Sequence, residues 1–378
     1  MRSSDFYPDH PLEVPEKVAQ ELGVPERLEA SAEKPHALPA SPDPLRTESQ
    51  DDLILDLKDV SLYFPILGGV LKRKVGEVKA VSHVSLPIRR GETLGLVGES
   101  GCGKSTLGKA IIRLLPATAG EVEYRGNDKV EPDILARSPK QFQPYRSRLQ
   151  IVFQDPYSSL NPALPIFSSL KRGLAAKGVT STKEQRRILG DLFEQVNLRR
   201  EYLDRYPNEF SGGQRQRIAI VRALSVDPEF IVCDEAVSAL DVSVQAQVLD
   251  LLKELKEKRG LTYLFISHNL SVVEYIADRI AVMYLGGIVE LTDAETLYRE
   301  PLHPYTQALL SAIPVVDPET KRERIVLEGD VPSPANPPSG CPFHPRCPIA
   351  VPECALKKPV LRDMGKPNQQ HWVSCDLL

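Results

Sequence analysis

A chain of 378 residues, 42% of them hydrophobic, is long enough for two or three domains and a sizeable core. The formal net charge of -4 lacks the basic footprint of a nucleic-acid binder, so nucleic acid is not expected as a partner. No apolar run is long enough to span a bilayer, and the N-terminus lacks a positive region followed by an apolar stretch; a membrane span and a secretory signal are both unexpected, and the expected compartment is the cytosol.

Proline divides the chain. Eight of the 33 prolines lie in residues 1–50 and 14 in residues 301–378, so the middle alone can hold many long regular elements. Residues 1–50 are acidic and interrupted, and read as a flexible extension with one short helix near Val14 to Leu22. Leu53, Leu55 and Leu57 alternate with polar residues, as do Val84, Leu86 and Ile88, which predicts two half-buried strands. Tyr63 and Phe64 lie between them. An insertion, Pro65 to Gly76 with Lys72-Arg73-Lys74, is expected to separate these rings from the second strand.

The apolar run ending at Val97 enters Gly98-Glu99-Ser100-Gly101-Cys102-Gly103-Lys104-Ser105-Thr106, with a helix predicted through Leu115. This is G-x-x-x-x-G-K-S between a strand and a helix, the setting in which backbone N–H groups cradle phosphates. Lys104 would reach the β- and γ-phosphates and Ser105 would ligate Mg²⁺. A chance match in a turn is the bland reading, disfavoured by the full consensus. A strand from Leu149 to Phe153 ends at Gln154, which is either a ligand to Mg²⁺ or water, or a plain surface amide. Helical periodicity runs from Lys183 to Val196.

Phe210-Ser211-Gly212-Gly213-Gln214 comes next, ahead of a helix expected from Gln214 to Leu224. Two glycines at the positive end of a helix leave N–H groups open to a second phosphate. Phe230 to Cys233 is a buried parallel-type strand, with Cys233 a small core residue. Asp234 at its carboxyl end suits the metal, and Glu235 suits the attacking water. The bland alternative makes both carboxylates caps of the next helix. A last strand, Tyr263 to Ser267, ends at His268, either a structural cap or a contact to the γ-phosphate.

Four of six cysteines fall at the C-terminus: Cys341, Cys347, Cys354 and Cys375, spaced C-x5-C-x6-C-x20-C. The C-x2-C pairs usual for zinc are absent, and a cytosolic setting disfavours disulfides. A metal centre stapling a short segment is one reading. A [4Fe–4S] cluster, a zinc site and unliganded thiols all stay open on spacing alone, and His344 is a further possible ligand.

Together these residues resemble the nucleotide-binding subunit of an ABC transporter over about residues 51 to 300. The loop 98–106 resembles Walker A and 230–235 Walker B. Gln154 matches the Q-loop, Ser211 to Gln214 the signature, Ser238-Ala239-Leu240-Asp241 the D-loop and His268 the switch histidine. The signature departs from the usual pattern in beginning with Phe210 rather than Leu. Pro301 to Leu310, Gly340 to Pro348, Ser158-Ser159-Leu160-Asn161-Pro162 and Phe210 itself are similar to the oligopeptide/dipeptide importer branch, some members of which carry a [4Fe–4S] cluster on these cysteines.

The resemblance implies an α/β P-loop ATPase of ABC type, with a mixed sheet core, a helical subdomain (about 156–227) and a small irregular Cys-rich extension (301–378). It implies two subunits head to tail, each ATP lying between the phosphate loop of one and the signature of the other. Tyr63 or Phe64 would stack on adenine, although the simplest alignment places that position near Val75. The implied partners are a second ATPase (the same chain or another), two membrane permeases and an extracytoplasmic binding protein, with this chain peripheral on the cytoplasmic face. Nickel or glutathione are alternative cargoes within the branch. A soluble ABC ATPase of repair or translation is a different reading, but the chain has neither coiled-coil arms nor a second phosphate loop. A scaffold that binds ATP without turnover is opposed by Glu235 and His268.

Overall fold

The structure, a computed structural model, describes residues 52–69, 73–155, 160–313, 324–366 and 369–378. The expected flexible segment 1–50, its helix near Val14, and Ser158 and Ser159 lie outside the described residues. In chain order the strands are β1 (Leu53–Gly68), β2 (Arg73–Arg89), β3 (Thr93–Val97), β4 (Ala119–Arg125), β5 (Val130–Glu131), β6 (Leu149–Val152), β7 (Phe230–Asp234), β8 (Thr262–Ile266), β9 (Arg279–Tyr284), β10 (Gly287–Asp293), β11 (Arg362–Asp363) and β12 (His371–Val373). The helices are α1 (Lys104–Ile111), α2 (Pro139–Phe142), α3 (Ile166–Ala176), α4 (Thr182–Gln195), α5 (Gly212–Leu224), α6 (Val242–Arg259), α7 (Leu270–Ile276), α8 (Ala294–Arg299) and α9 (Pro304–Ser311).

Two sheets organise the described residues. A small antiparallel sheet has the order β2-β1-β4-β5, and a larger one the order β11-β12-β10-β9-β3-β8-β7-β6. Five neighbouring strands of the larger sheet, β9 to β6, run parallel. Their sequences are apolar without alternation because both faces are covered. Ile231 and Cys233 of β7, with Tyr263 and Phe265 of β8, face one core with the helices α3 to α6. Phe230 and Val232, with Leu264 and Ile266, face the other, against α1 and the small sheet. The period of two along each strand thus feeds two separate cores.

Two local expectations change. Residues 65–68 and 73–76 do not part the rings from the second strand: Pro65 pairs with Glu77 and Ile66 with Gly76, so β1 and β2 stay paired out to Gly68 and Arg73. The helix after the phosphate loop ends at Ile111, not Leu115. Arg113 has φ 55, and the Leu114 N–H donates to Lys109 O at 2.8 Å, a left-handed stop.

The C-terminal segment is less irregular than its prolines suggest. It returns as β12, antiparallel to β10, with Trp372 opposite Leu291 and buried in the core. A fully buried carboxylate fastens this return. Glu290 of β10 accepts from the N–H groups of Leu302 (2.8 Å) and His303 (3.0 Å) and pairs with His371 Nε2 at 2.6 Å. One side chain therefore ties β10, the antiparallel neighbour of β9, to residues 302–303 and to β12. Beside it, burial lowers His303 to about 4, so its neutral Nδ1 accepts from the Tyr305 N–H and caps α9.

Glu290→Ala would strand these donors in a dry site. A loss of roughly 3–5 kcal/mol of stability is expected by denaturant unfolding. An unchanged midpoint would show that the clamp contributes nothing.

Candidate active site

Strands β3, β8, β7 and β6 are neighbours and parallel, so their carboxyl ends share one edge. The motif residues stand directly at or beyond those ends: Gly98 to Thr106 after β3, His268 after β8, Asp234 and Glu235 at β7, Gln154 after β6. Open α/β sheets bind ligands at this edge.

The loop Gly98–Gly103 curls around a buried lysine. Lys104 Nζ donates to Gly98 O at 2.7 Å and to Glu99 O at 2.9 Å. Ser105 and Thr106 lie in the first turn of α1, whose free N–H groups and dipole favour a phosphate. Gly103 has φ 108, and a Cβ there would stand 2.1 Å from Ala80 O, so only glycine fits this turn. Burial raises the Cys102 thiol despite Lys104 nearby, which keeps it a neutral side chain.

Ser105 Oγ donates to Asp234 Oδ1 at 2.5 Å, and Lys109 Nζ lies 3.6 Å from Asp234 Oδ2. Two hard oxygen donors from different elements in direct contact fit a Mg²⁺ ion, which takes few protein ligands. Behind Asp234, burial pushes Cys233 up to about 12, consistent with an inert core thiol.

Glu235 is the centre of the remaining groups. Gln154 Nε2 donates to its Oε2 at 3.0 Å, and His268 Nδ1 lies 3.3 Å from its Oε1. Its backbone is left-handed, φ 48, a conformation that costs a non-glycine residue energy. The Glu235 N–H donates to Ile266 O at 3.0 Å, and Ser238 bonds back to the Glu235 carbonyl from both N–H and Oγ. The strain aims one carboxylate at the edge where the loop also opens. A carboxylate flanked by an amide and an imidazole can hold and deprotonate a water.

Helix α5 begins at Gly212, two residues before the expected start. Ser211 caps it: its Oγ accepts from the Gln214 N–H at 3.3 Å, and Gln214 Oε1 accepts from the Ser211 N–H at 3.0 Å. A Cβ on Gly213 would stand 2.4 Å from Val244 of α6, and one on Gly212 would meet Leu240. Gly212 thus lies against Leu240 of the segment Ser238 to Asp241, of which Ser238, Ala239 and Asp241 are exposed, and Gly213 lies against α6. Phe210 is buried edge-on to Tyr202, ring centroids 5.7 Å apart, which explains how an aromatic ring replaces an aliphatic one ahead of the serine. Tyr63 and Phe64 are both half-buried, and Phe64 packs on the core behind the phosphate loop. Val75 is 67% exposed near the start of β2.

Residues 81–238 match the family model described as ABC transporter, and residues 289–354 that described as Oligopeptide/dipeptide transporter, C-terminal region. The chain is 50% identical over 335 residues to the oligopeptide transport ATP-binding protein AppF of Bacillus subtilis (strain 168), covering 88% of this chain and 99% of that protein. It belongs to the ABC transporter ATP-binding proteins, in their oligopeptide/dipeptide branch. The putative oligopeptide transport ATP-binding protein YkfD of the same organism is 54% identical over 303 residues, 79% of this chain and 90% of its own. Among solved structures, the dimeric structure of MJ0796, a bacterial ABC transporter cassette, is 28% identical with a TM-score of 0.55, covering 64% of this chain and 98% of that chain. No helix of the described residues is long and apolar enough to cross a membrane.

In this ABC protein the four C-terminal cysteines are unpaired and line one cavity of about 290 Å³, with His303, Phe343 and His344 also in its wall. A backbone bond from the Cys341 N–H to Cys354 O (2.8 Å) draws two of their segments together, and His344 Nδ1 lies 2.8 Å from Cys341 O. Burial raises the Cys341 and Cys347 thiols. Among the described residues no three His, Cys, Asp or Glu side chains are arranged to hold a single metal ion. What the four thiols share is the wall of one cavity.

Sequence reading missed the contact that joins this region to the phosphate loop. Arg346 donates to both carboxylate oxygens of Glu99, at 2.8 and 3.1 Å. Nothing local to either residue signals a pair 247 positions apart.

Gly103→Ala must move the loop backbone. The expected result is a loss of at least about tenfold in affinity for a fluorescent ATP analogue, the equivalent of about 1.4 kcal/mol, without global unfolding. Wild-type binding by this variant would remove Gly103 from the cradle.

Proposed function

We propose that this subunit hydrolyses ATP to drive uptake of oligopeptides or dipeptides across the cytoplasmic membrane. The observation that carries it is the Ser105–Asp234 contact lying beside the Gln154–Glu235–His268 group on one sheet edge. The relatives' names, oligopeptide transport ATP-binding proteins, support the cargo class.

Lys104 and the amides of residues 98–106 hold the ATP phosphates. Ser105 and Asp234, with Gln154 near, would hold a Mg²⁺ ion, whose charge would offset that of the phosphates. Glu235 takes the proton of the attacking water. Gln154 and His268 orient that carboxylate and report the γ-phosphate. Tyr63 or Phe64 stacks on adenine. Ser211 to Gln214 serve the ATP of a second subunit, across the segment Ser238 to Asp241; the dimeric cassette noted above supports this arrangement.

The proposed assembly adds a second ATPase of the same or similar chain, two permeases and an extracytoplasmic binding protein, with this subunit peripheral on the cytoplasmic face. Residues 51–300 form its ATPase unit and 301–378 its extension. Cys341, Cys347, Cys354 and Cys375 hold a [4Fe–4S] cluster, supported by their common cavity. When bound, the cluster supplies a covalent staple to a segment with little core of its own. Ligation would deprotonate thiols that burial now keeps neutral, so loading is expected to weaken in acid.

Three measurements test this reading. Glu235→Gln is expected to bind ATP normally while turnover falls on the order of a thousandfold or more, read by single-turnover hydrolysis. Undiminished hydrolysis would take Glu235 out of the base role. In vesicles holding the whole transporter, peptides are expected to stimulate ATPase activity; stimulation by a nickel chelate or glutathione alone would reassign the cargo. Anaerobically purified protein is expected to contain iron and acid-labile sulfide, and colourless protein with zinc and no sulfide would refute the cluster.

A further inference from the structure

Within the phosphate loop, Glu99 is held through its N–H, its side chain and its carbonyl together. Its N–H donates to Tyr305 Oη at 2.8 Å, and its carboxylate accepts both arms of the Arg346 guanidinium. Its carbonyl accepts from Lys104 Nζ. Both outer partners come from the C-terminal segment. Tyr305 is fully buried in α9, and the Arg346 side chain is only 8% exposed. Tyr305, Tyr284 and Phe343 pack ring to ring at centroid distances of 4.7 to 5.4 Å, which fixes the floor under Arg346. The next residue after Arg346 is Cys347, and Phe343 and Cys347 both line the cysteine cavity. The wall of that cavity and the outer wall of the phosphate loop are therefore one continuous piece of packed chain.

We propose that Arg346 and Tyr305 are positioning residues that hold the phosphate loop open for ATP, and that through them the cysteine-lined cavity sets nucleotide affinity. A bidentate Arg–carboxylate pair with a nearly buried guanidinium has a fixed geometry, so a shift of the turn His344–Arg346 is passed to Glu99 and on to Lys104. The effect falls on binding and not on the water-activating groups, which hang from β6, β7 and β8. The inference rests on residues 98–106 being the ATP loop. A wild-type chain that binds no ATP analogue would sink that reading, whereas the clamp is judged only by the variants.

The test uses the full chain and three readouts: affinity for a fluorescent ATP analogue, the split between KM for ATP and kcat, and amide hydrogen exchange across residues 98–105. Arg346→Gln is expected to weaken binding about tenfold, the equivalent of about 1.4 kcal/mol, raise KM in step and speed exchange of the loop, with kcat at saturating ATP changed far less. Glu99→Gln is expected to give a similar loss, and the double variant no more than either alone. Cys347→Ser is expected to shift affinity in the wild-type background and not in Arg346→Gln; should it lower the melting temperature, Cys375→Ser takes its place. Unchanged affinity in Arg346→Gln, or losses that simply add between Arg346→Gln and Glu99→Gln, would overturn the clamp. A cysteine effect of equal size in both backgrounds would overturn its link to the cavity.

Discussion

The whole site depends on four parallel strands, β3, β8, β7 and β6, ending at one edge. Parallel pairing is what turns distant stretches of sequence into neighbours. The loop from residue 98, the acids at 234 and 235, Gln154 and His268 arrive side by side because each lies within a residue or two of its strand's end. Burial on both faces keeps those strands from slipping, since any register change would misplace side chains in two cores at once. The chemistry is thus secured by apolar residues that never touch a ligand.

Local energies are then spent at the edge. Glu235 sits in a left-handed conformation, and Lys104 is buried with backbone carbonyls as its partners. Both are tolerable because the surrounding structure over-determines them. The Glu235 N–H is fixed by β8, and its carbonyl by Ser238. Lys104 has the curled loop around it. Each strained or buried group faces the place where phosphate charge would arrive.

Much of this was legible in the sequence, and the reason is physical. A glycine-rich loop, a strand ending in two acids and a strand ending in histidine are short-range patterns, complete within a dozen residues. Their encounter follows from parallel-sheet topology. At 65–76 a run with proline, glycine and basic residues looks like a break, while cross-strand pairing joins Pro65–Gly68 to Arg73–Glu77. The C-terminal segment was harder. Its prolines hide a strand of three residues, and Glu290 reads as an ordinary polar position although it is fully buried. Such contacts arise from tertiary packing and leave no periodicity to read.

The return of β12 along β10 has one more effect. Without it, β10 would present an unpaired row of N–H and C=O groups at the margin of the main sheet, an open template for strands of other chains. As it stands, the outermost strand is β11, two residues long, exposed and made of Arg362 and Asp363. A margin so short and so charged offers a neighbouring chain almost nothing to pair with. The same tail that reaches the phosphate loop therefore also closes this margin of the main sheet to strand addition.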